Sequence, residues 1–155
     1  SITDDRMITL FREIGYDIKQ HCSDLFFTNF ILGYRNKGLS GGYKKSWADH
    51  DKDYFKELTN IIEPKVILCL GRSTFEGVLS AFNTINSPRI KNVNSFMESE
   101  HNPISVTLDN GKPGFIFALA HCGAMGTLNR NRGKEKSDDI LSVQKEDWKR
   151  IVPYL

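Results

Sequence analysis

The sequence predicts an α/β domain, a three-layer α/β/α arrangement around a mostly parallel central sheet. Three observations carry that reading. Residues 66–70 and 115–120 are short, charge-free apolar runs, the mark of strands buried on both faces. Stretches with apolar residues at helical spacing lie before, between and after them. The elements then alternate as helix, strand, helix, strand, helix, strand pair and helix, a pattern that favours parallel strands joined by crossover helices.

The 155 residues form one domain, 1–155, with no internal repeat and enough chain to bury a core. Hydrophobic residues at 39% and charged residues at 26% are ordinary for a soluble globular protein. No apolar run approaches the ~18 residues of a membrane helix, and residues 1–11 are charged and helix-like rather than a secretory leader. Cys22, Cys69 and Cys122 are odd in number and widely spaced, which points to reduced thiols and a cytoplasmic setting. The net charge of +2 says little about partners, but its distribution says more. Basic residues gather in two glycine-containing loops, 33–45 (Arg35, Lys37, Lys44, Lys45) and 128–136 (Arg130, Arg132, Lys134, Lys136). If those loops share a face they make a strong local field.

Taken in order, Thr3-Asp4-Asp5 predicts a helix start, with a capping side chain and acids in the first turn. Met7, Leu10, Phe11 and Ile14 form its apolar face, and Gly15 marks its end. Residues 25–32 are aromatic and branched and predict a buried strand, in which Asn29 is out of place. A buried amide without partners costs about 1–3 kcal/mol. Residues 47–63 predict a helix with Tyr54, Phe55, Leu58, Ile61 and Ile62 inside, ended by Pro64. The second strand, 65–70, turns at Gly71-Arg72-Ser73-Thr74 into a helix carrying Phe75, Val78, Leu79 and Phe82. Residues 83–102 show no period and predict an irregular excursion. Residues 104–108 and 115–120 flank Asp109-Asn110-Gly111, a hairpin signal. Ser137-Asp138-Asp139 predicts the cap of a last helix with Ile140, Leu141, Trp148, Ile151 and Val152 on its apolar side.

Ligands of open α/β sheets gather outside the carboxyl ends of the strands. That rule would gather Asn29, the Gly71 turn, His121 and both basic loops around one cleft. His121, which ends an apolar strand and opens a loop rich in Gly, Asn and Arg, is then a candidate for chemistry rather than a plain strand end. Gly71 and Ser73 either seat a phosphate on a helix N-terminus or make an ordinary strand-to-helix turn; the Walker spacing is absent, which argues against triphosphate hydrolysis. Tyr34, Tyr43 and Trp47 among basic residues suit a single-strand groove, the alternative being a solvated loop. His21-Cys22 and His121-Cys122 are nominal zinc ligands, but adjacent residues of a strand point in opposite directions and no ligand spacing supports them, so no metal is expected.

Phe27-Thr28-Asn29-Phe30-Ile31-Leu32, then Glu63-Pro64-Lys65-Val66-Ile67-Leu68-Cys69-Leu70-Gly71, then Ala120-His121 with its glycine-rich loop, together resemble the uracil-DNA glycosylase superfamily, closest to its family-four-like branch. The resemblance runs from about Arg6 to Trp148. It implies an enzyme of base-excision repair that flips deoxyuridine out of DNA and hydrolyses its N-glycosidic bond. It also implies that Asn29 reads the uracil edge and that His121 donates a hydrogen bond to O2 as charge gathers there. Met125 would be the apolar wedge, with Leu128 a second candidate. Gly71, Ser73, Arg130 and Arg132 would contact DNA.

There are departures. The opening motif, with the acid that positions water, has no match, so the resemblance implies either a shortened N-terminus or a protein without that acid. The stacking aromatic of the same region is likewise unassigned. The branch's iron–sulfur cysteines are replaced near Gly33 and Asp51, so no cluster and no other cofactor is expected. Cys122 stands where a proline usually follows the histidine. The expected partner is DNA, not a membrane, and the expected state is a monomer. A non-catalytic nucleic-acid-binding domain on the same fold is the alternative. A small-molecule enzyme using the Gly71 turn for phosphate is a third.

Overall fold

Helix α1 (Ile2–Glu13) starts two residues earlier than Thr3-Asp4-Asp5 suggests. Ser1 caps it, its hydroxyl accepting from the Asp4 N–H while the Asp4 carboxylate accepts from the Ser1 amine and hydroxyl. The computed structural model describes residues 1–32, 44–82 and 90–155; the tyrosine-bearing part of the first basic loop, with Tyr34, Arg35, Lys37 and Tyr43, lies outside them. The later elements are α2 (Lys45–Ile62), β1 (Val66–Leu70), α3 (Arg72–Ala81), α4 (Val93–Glu98), β2 (Ile104–Thr107), β3 (Pro113–Leu119), α5 (Ala124–Asn131) and α6 (Ser142–Lys149), then a 3-10 turn at Val152–Tyr154. None of the described helices is long and apolar enough to cross a membrane.

The three strands run in the order β1-β3-β2. β1 and β3 are parallel from Val66↔Phe115 to Leu70↔Leu119, whereas β2 is antiparallel to β3 from Ile104↔Ile116 to Thr107↔Pro113. The sheet is therefore mixed, not mostly parallel. One reason is local: a turn through Asp109-Asn110-Gly111 returns the chain directly and forces antiparallel pairing. The other is the run at 25–32, which forms no strand. It is secured by side chains instead: Phe27 packs edge-on against Phe11, Phe30 packs on Phe55 and Gly77, and the Leu32 N–H donates to the buried Asp51 carboxylate at 2.8 Å. Phe26 and Phe27 are 60% and 56% exposed, far from the two-sided burial that an apolar run suggests.

β3 divides its side chains between two clusters. Phe117 and Leu119 join Leu10 and Phe11 of α1, Ile14 just past its end and Trp148 of α6, with Phe115 packed alongside. Ile116 and Ala118, with Ala120 just past the strand, join residues of α2, α3 and α4. Each large apolar side chain so buried contributes about 1.5–3 kcal/mol. α2 is rotated relative to expectation: Ala48, Asp51, Phe55 and Thr59 are inside, and Tyr54, Ile61 and Ile62 are exposed. Within the stretch read as irregular, α4 forms with Asn92 as its cap. Shortly after it the buried Asn102 side chain donates to the Ala118 carbonyl and accepts from the Ala118 N–H, each at 3.0 Å, standing in for a strand beside β3. The last helix begins at Ser142, later than its acids suggest, leaving Ile140 and Val152 exposed.

Candidate active site

The parallel register brings the ends of β1 and β3 to one edge. There the Gly71 N–H donates to the Leu119 carbonyl at 2.8 Å. Gly71 precedes α3 with φ +98°, a conformation that favours glycine, and a Cβ built on it would stand 4.0 Å from the His121 Cβ. Gly71 and His121 are thus neighbours, as the strand-end rule requires. Ser73 is exposed in the first turn of α3.

His121 is exposed, and its Nδ1 accepts the Gly123 N–H at 2.9 Å. That bond uses the Nδ1 lone pair, so the neutral ring carries its proton on Nε2 and presents Nε2–H as a donor. In place of the loop rich in Gly, Asn and Arg that the sequence predicts after His121, residues 124–131 form α5. Close approach explains the two glycines: a Cβ on Gly123 would lie 3.0 Å from Nδ1, and one on Gly126 would lie 2.1 Å from the His121 carbonyl oxygen. Any larger residue at Gly126 must push the backbone away.

α5 exposes Met125 (67%) and Leu128 (62%) and turns Thr127 and Arg130 inward. Arg132 is exposed and donates to the Asn129 side chain at 3.2 Å. Arg130, expected among the DNA-contacting residues, is 1% exposed. Its guanidinium donates from Nε and Nη2 to Asp147 at 2.6 and 2.8 Å and from Nη1 to Glu98 at 2.8 Å, and Lys134 also pairs with Glu98. The fork faces two carboxylates and not a phosphate backbone. Around it, burial pushes the Asp147 carboxyl up while Arg130 opposes, and Lys134, with help from Arg130, holds Glu98 below the ordinary range against its desolvation. Burial also works against the Arg130 charge, but its two carboxylates outweigh it. The two-pronged contact is that of an ionised pair, and we read it as one.

Asn29 is exposed, not a buried amide in a sheet, because the run that carries it pairs with no strand. Its backbone carbonyl accepts from the Thr28 hydroxyl at 3.2 Å. Among the described contacts none joins Asn29 to His121. Burial pushes the Cys122 thiol up to about 11, with Arg6 opposing, and raises Cys69 as well, so neither is a ready nucleophile. Among the described residues no three His, Cys, Asp or Glu side chains converge on a metal position.

Two supporting residues escaped the sequence reading. Gln144 is buried and donates to the carbonyl of Ala120, the residue before His121, at 3.4 Å, and Asp147 holds Arg130. Their signal was present: polar residues at 144 and 147 interrupt the stripe of Leu141, Trp148 and Ile151 that α6 and its flanks turn inward. Compared with known proteins, the chain matches no family model, no curated protein and no solved structure.

Proposed function

We propose that the domain is a uracil-DNA glycosylase-like enzyme in which His121 is the electrophile. The observation that carries the proposal is the Gly123 N–H on His121 Nδ1, which presents Nε2–H at the exposed end of β3 beside Gly71. When an N-glycosidic bond breaks, the sugar becomes cationic and the pyrimidine leaves with negative charge on O2. A neutral Nε2–H donor stabilises that oxygen in the transition state, worth several kcal/mol at most. Water completes the sugar at C1′ and the departing base takes a proton, so the reaction calls for no cofactor. Met125 and Leu128, displayed on α5, are suited to enter the stack in place of an extruded base. Arg132, Ser73 and the Gly71 backbone are the phosphate contacts of this reading. Asn29 is its base reader, at the surface where an extruded base can meet it. The division of β3 side chains between two clusters supports a layer of helices on each face of the sheet.

A non-catalytic nucleic-acid-binding domain is the second reading, favoured by the absence of sheet support for Asn29. Incubation with single- and double-stranded deoxyuridine oligonucleotides, followed by chromatography of free base, separates the two. The enzyme reading expects uracil release, with loss of about 10²–10³-fold in His121→Ala and a lesser loss in Asn29→Asp. Salt-dependent DNA binding with no base released would establish the second reading and sink the first.

A further inference from the structure

Helix α5 is built inside out. Its buried residues are Thr127 and Arg130, while Met125 and Leu128 face solvent. A surface helix ordinarily docks through an apolar stripe, and an eight-residue helix is too short to hold its shape alone in water. No side chain caps its N-terminus. Directional bonds hold it instead: Arg6 donates to the Thr127 hydroxyl at 3.2 Å, the Asn94 amide to the Asn129 carbonyl at 2.9 Å, and Arg130 to both Asp147 and Glu98.

We propose that Arg130 is a positioning residue for His121. Its two-pronged bond to Asp147 on α6 and its third bond to Glu98 on α4 set the rotation and height of α5. The start of α5 in turn sets the imidazole: Gly126 abuts the His121 carbonyl, and the Gly123 N–H occupies Nδ1. Apolar residues of similar volume in place of a buried ion pair are often as stable or more so. Apolar packing, however, is indifferent to rotation about the helix axis and would reward turning Met125 and Leu128 inward. A planar guanidinium between two carboxylates admits one rotation. The ionic interior therefore fixes direction, the property that a hydrogen-bond donor at a strand end requires. Only the use of that donor on a departing base rests on the function proposed above; the geometric role does not.

Two variants test this: Arg130→Met combined with Asp147→Leu, which replaces the pair by apolar side chains, and Arg130→Lys, which keeps the charge and loses the fork. Long-range proton–nitrogen NMR reads the His121 tautomer, and hydrogen exchange reads the Gly123 amide. We expect the wild type to show His121 as the Nε2–H form. The double variant should fold cooperatively with the tautomers mixed and Gly123 exchanging at least about tenfold faster, and Arg130→Lys should shift both readings the same way by less. A folded double variant with wild-type tautomer and Gly123 protection would overturn the proposal. If the double variant does not fold, wild-type values in Arg130→Lys overturn it equally. Both readings stand apart from activity, so a wild type that releases no uracil removes the glycosylase reading and leaves this one to be decided on its own. Where uracil is released, loss of position appears as a lower kcat with KM little changed.

Discussion

The His121 end of β3 and the Asn29 run at 25–32 carry the two halves of the proposed site, and they are secured by different forces. Around His121 nearly every constraint is directional: Gly123 on Nδ1, Gln144 on the preceding carbonyl, and the Arg130 fork holding the helix that follows. The Asn29 run relies chiefly on ring packing, with Phe27 on Phe11 and Phe30 on Phe55, plus the Leu32 N–H on Asp51. Directional bonds hold an orientation; packing holds a position and tolerates small rotations. A group that must aim a proton at one oxygen benefits from the first. On the proposed function, a run that receives an arriving strand can use the second.

Arg130 is where the two regions differ most in what a substitution costs. Arg130→Ala leaves the Asp147 carboxylate buried and unpaired and should cost about 3–5 kcal/mol in urea unfolding. Phe30→Ala should cost about 3 kcal/mol as a core truncation yet leave the His121 tautomer unchanged, because no directional bond to His121 is lost. A shifted His121 signature in Phe30→Ala would merge the two regions into one unit. Acid acts on the ionic side. The folded value of Glu98 is depressed, so its contribution is present above its ordinary 4.5 and is lost as pH falls through the folded value. Between 4.5 and that depressed folded value the thermal midpoint should fall as pH falls, and more gently in Glu98→Gln. Met125→Ser should be the smallest effect on stability, within about 0.5 kcal/mol, while weakening binding to deoxyuridine DNA in a titration at fixed salt.

Much of the scaffold was legible because period and punctuation agree there. Val66–Leu70 and Pro113–Leu119 are dense apolar runs, Gly15 and Pro64 stop helices α1 and α2, and Asn110-Gly111 turns a hairpin. Several of the misreadings involve a side chain whose partner is remote in sequence. Residues 25–32 have strand composition, but their rings find α1, α2 and α3 rather than a neighbouring strand. In α2 the apolar residues 54, 55, 58, 61 and 62 suggest one stripe, whereas Ala48, Asp51 and Thr59 turn the helix so that Tyr54 and Ile61 face out. α5 contains a glycine at its third position and buries polar groups, so neither propensity nor hydrophobic pattern announces it. Arg130 among basic neighbours reads as a surface charge until Asp147, seventeen residues on, is seen to bind it. Gly71 beside His121 was legible because a strand-end rule operates at the level of topology and needs no side-chain detail.

The buried thiols have a use that their inertness makes possible. Cys69 sits in the cluster shared by α2, α3 and α4, and Cys122 in the cluster shared by α1 and α6. Cys22 is only half buried. Pulse alkylation followed by mass spectrometry would time the opening of each side of the sheet separately, with Cys22 as the internal reference. Equal clocks at Cys69 and Cys122 would describe a molecule that opens all at once. A faster clock at Cys122 would locate the first breach on the side of the chain that leads into His121.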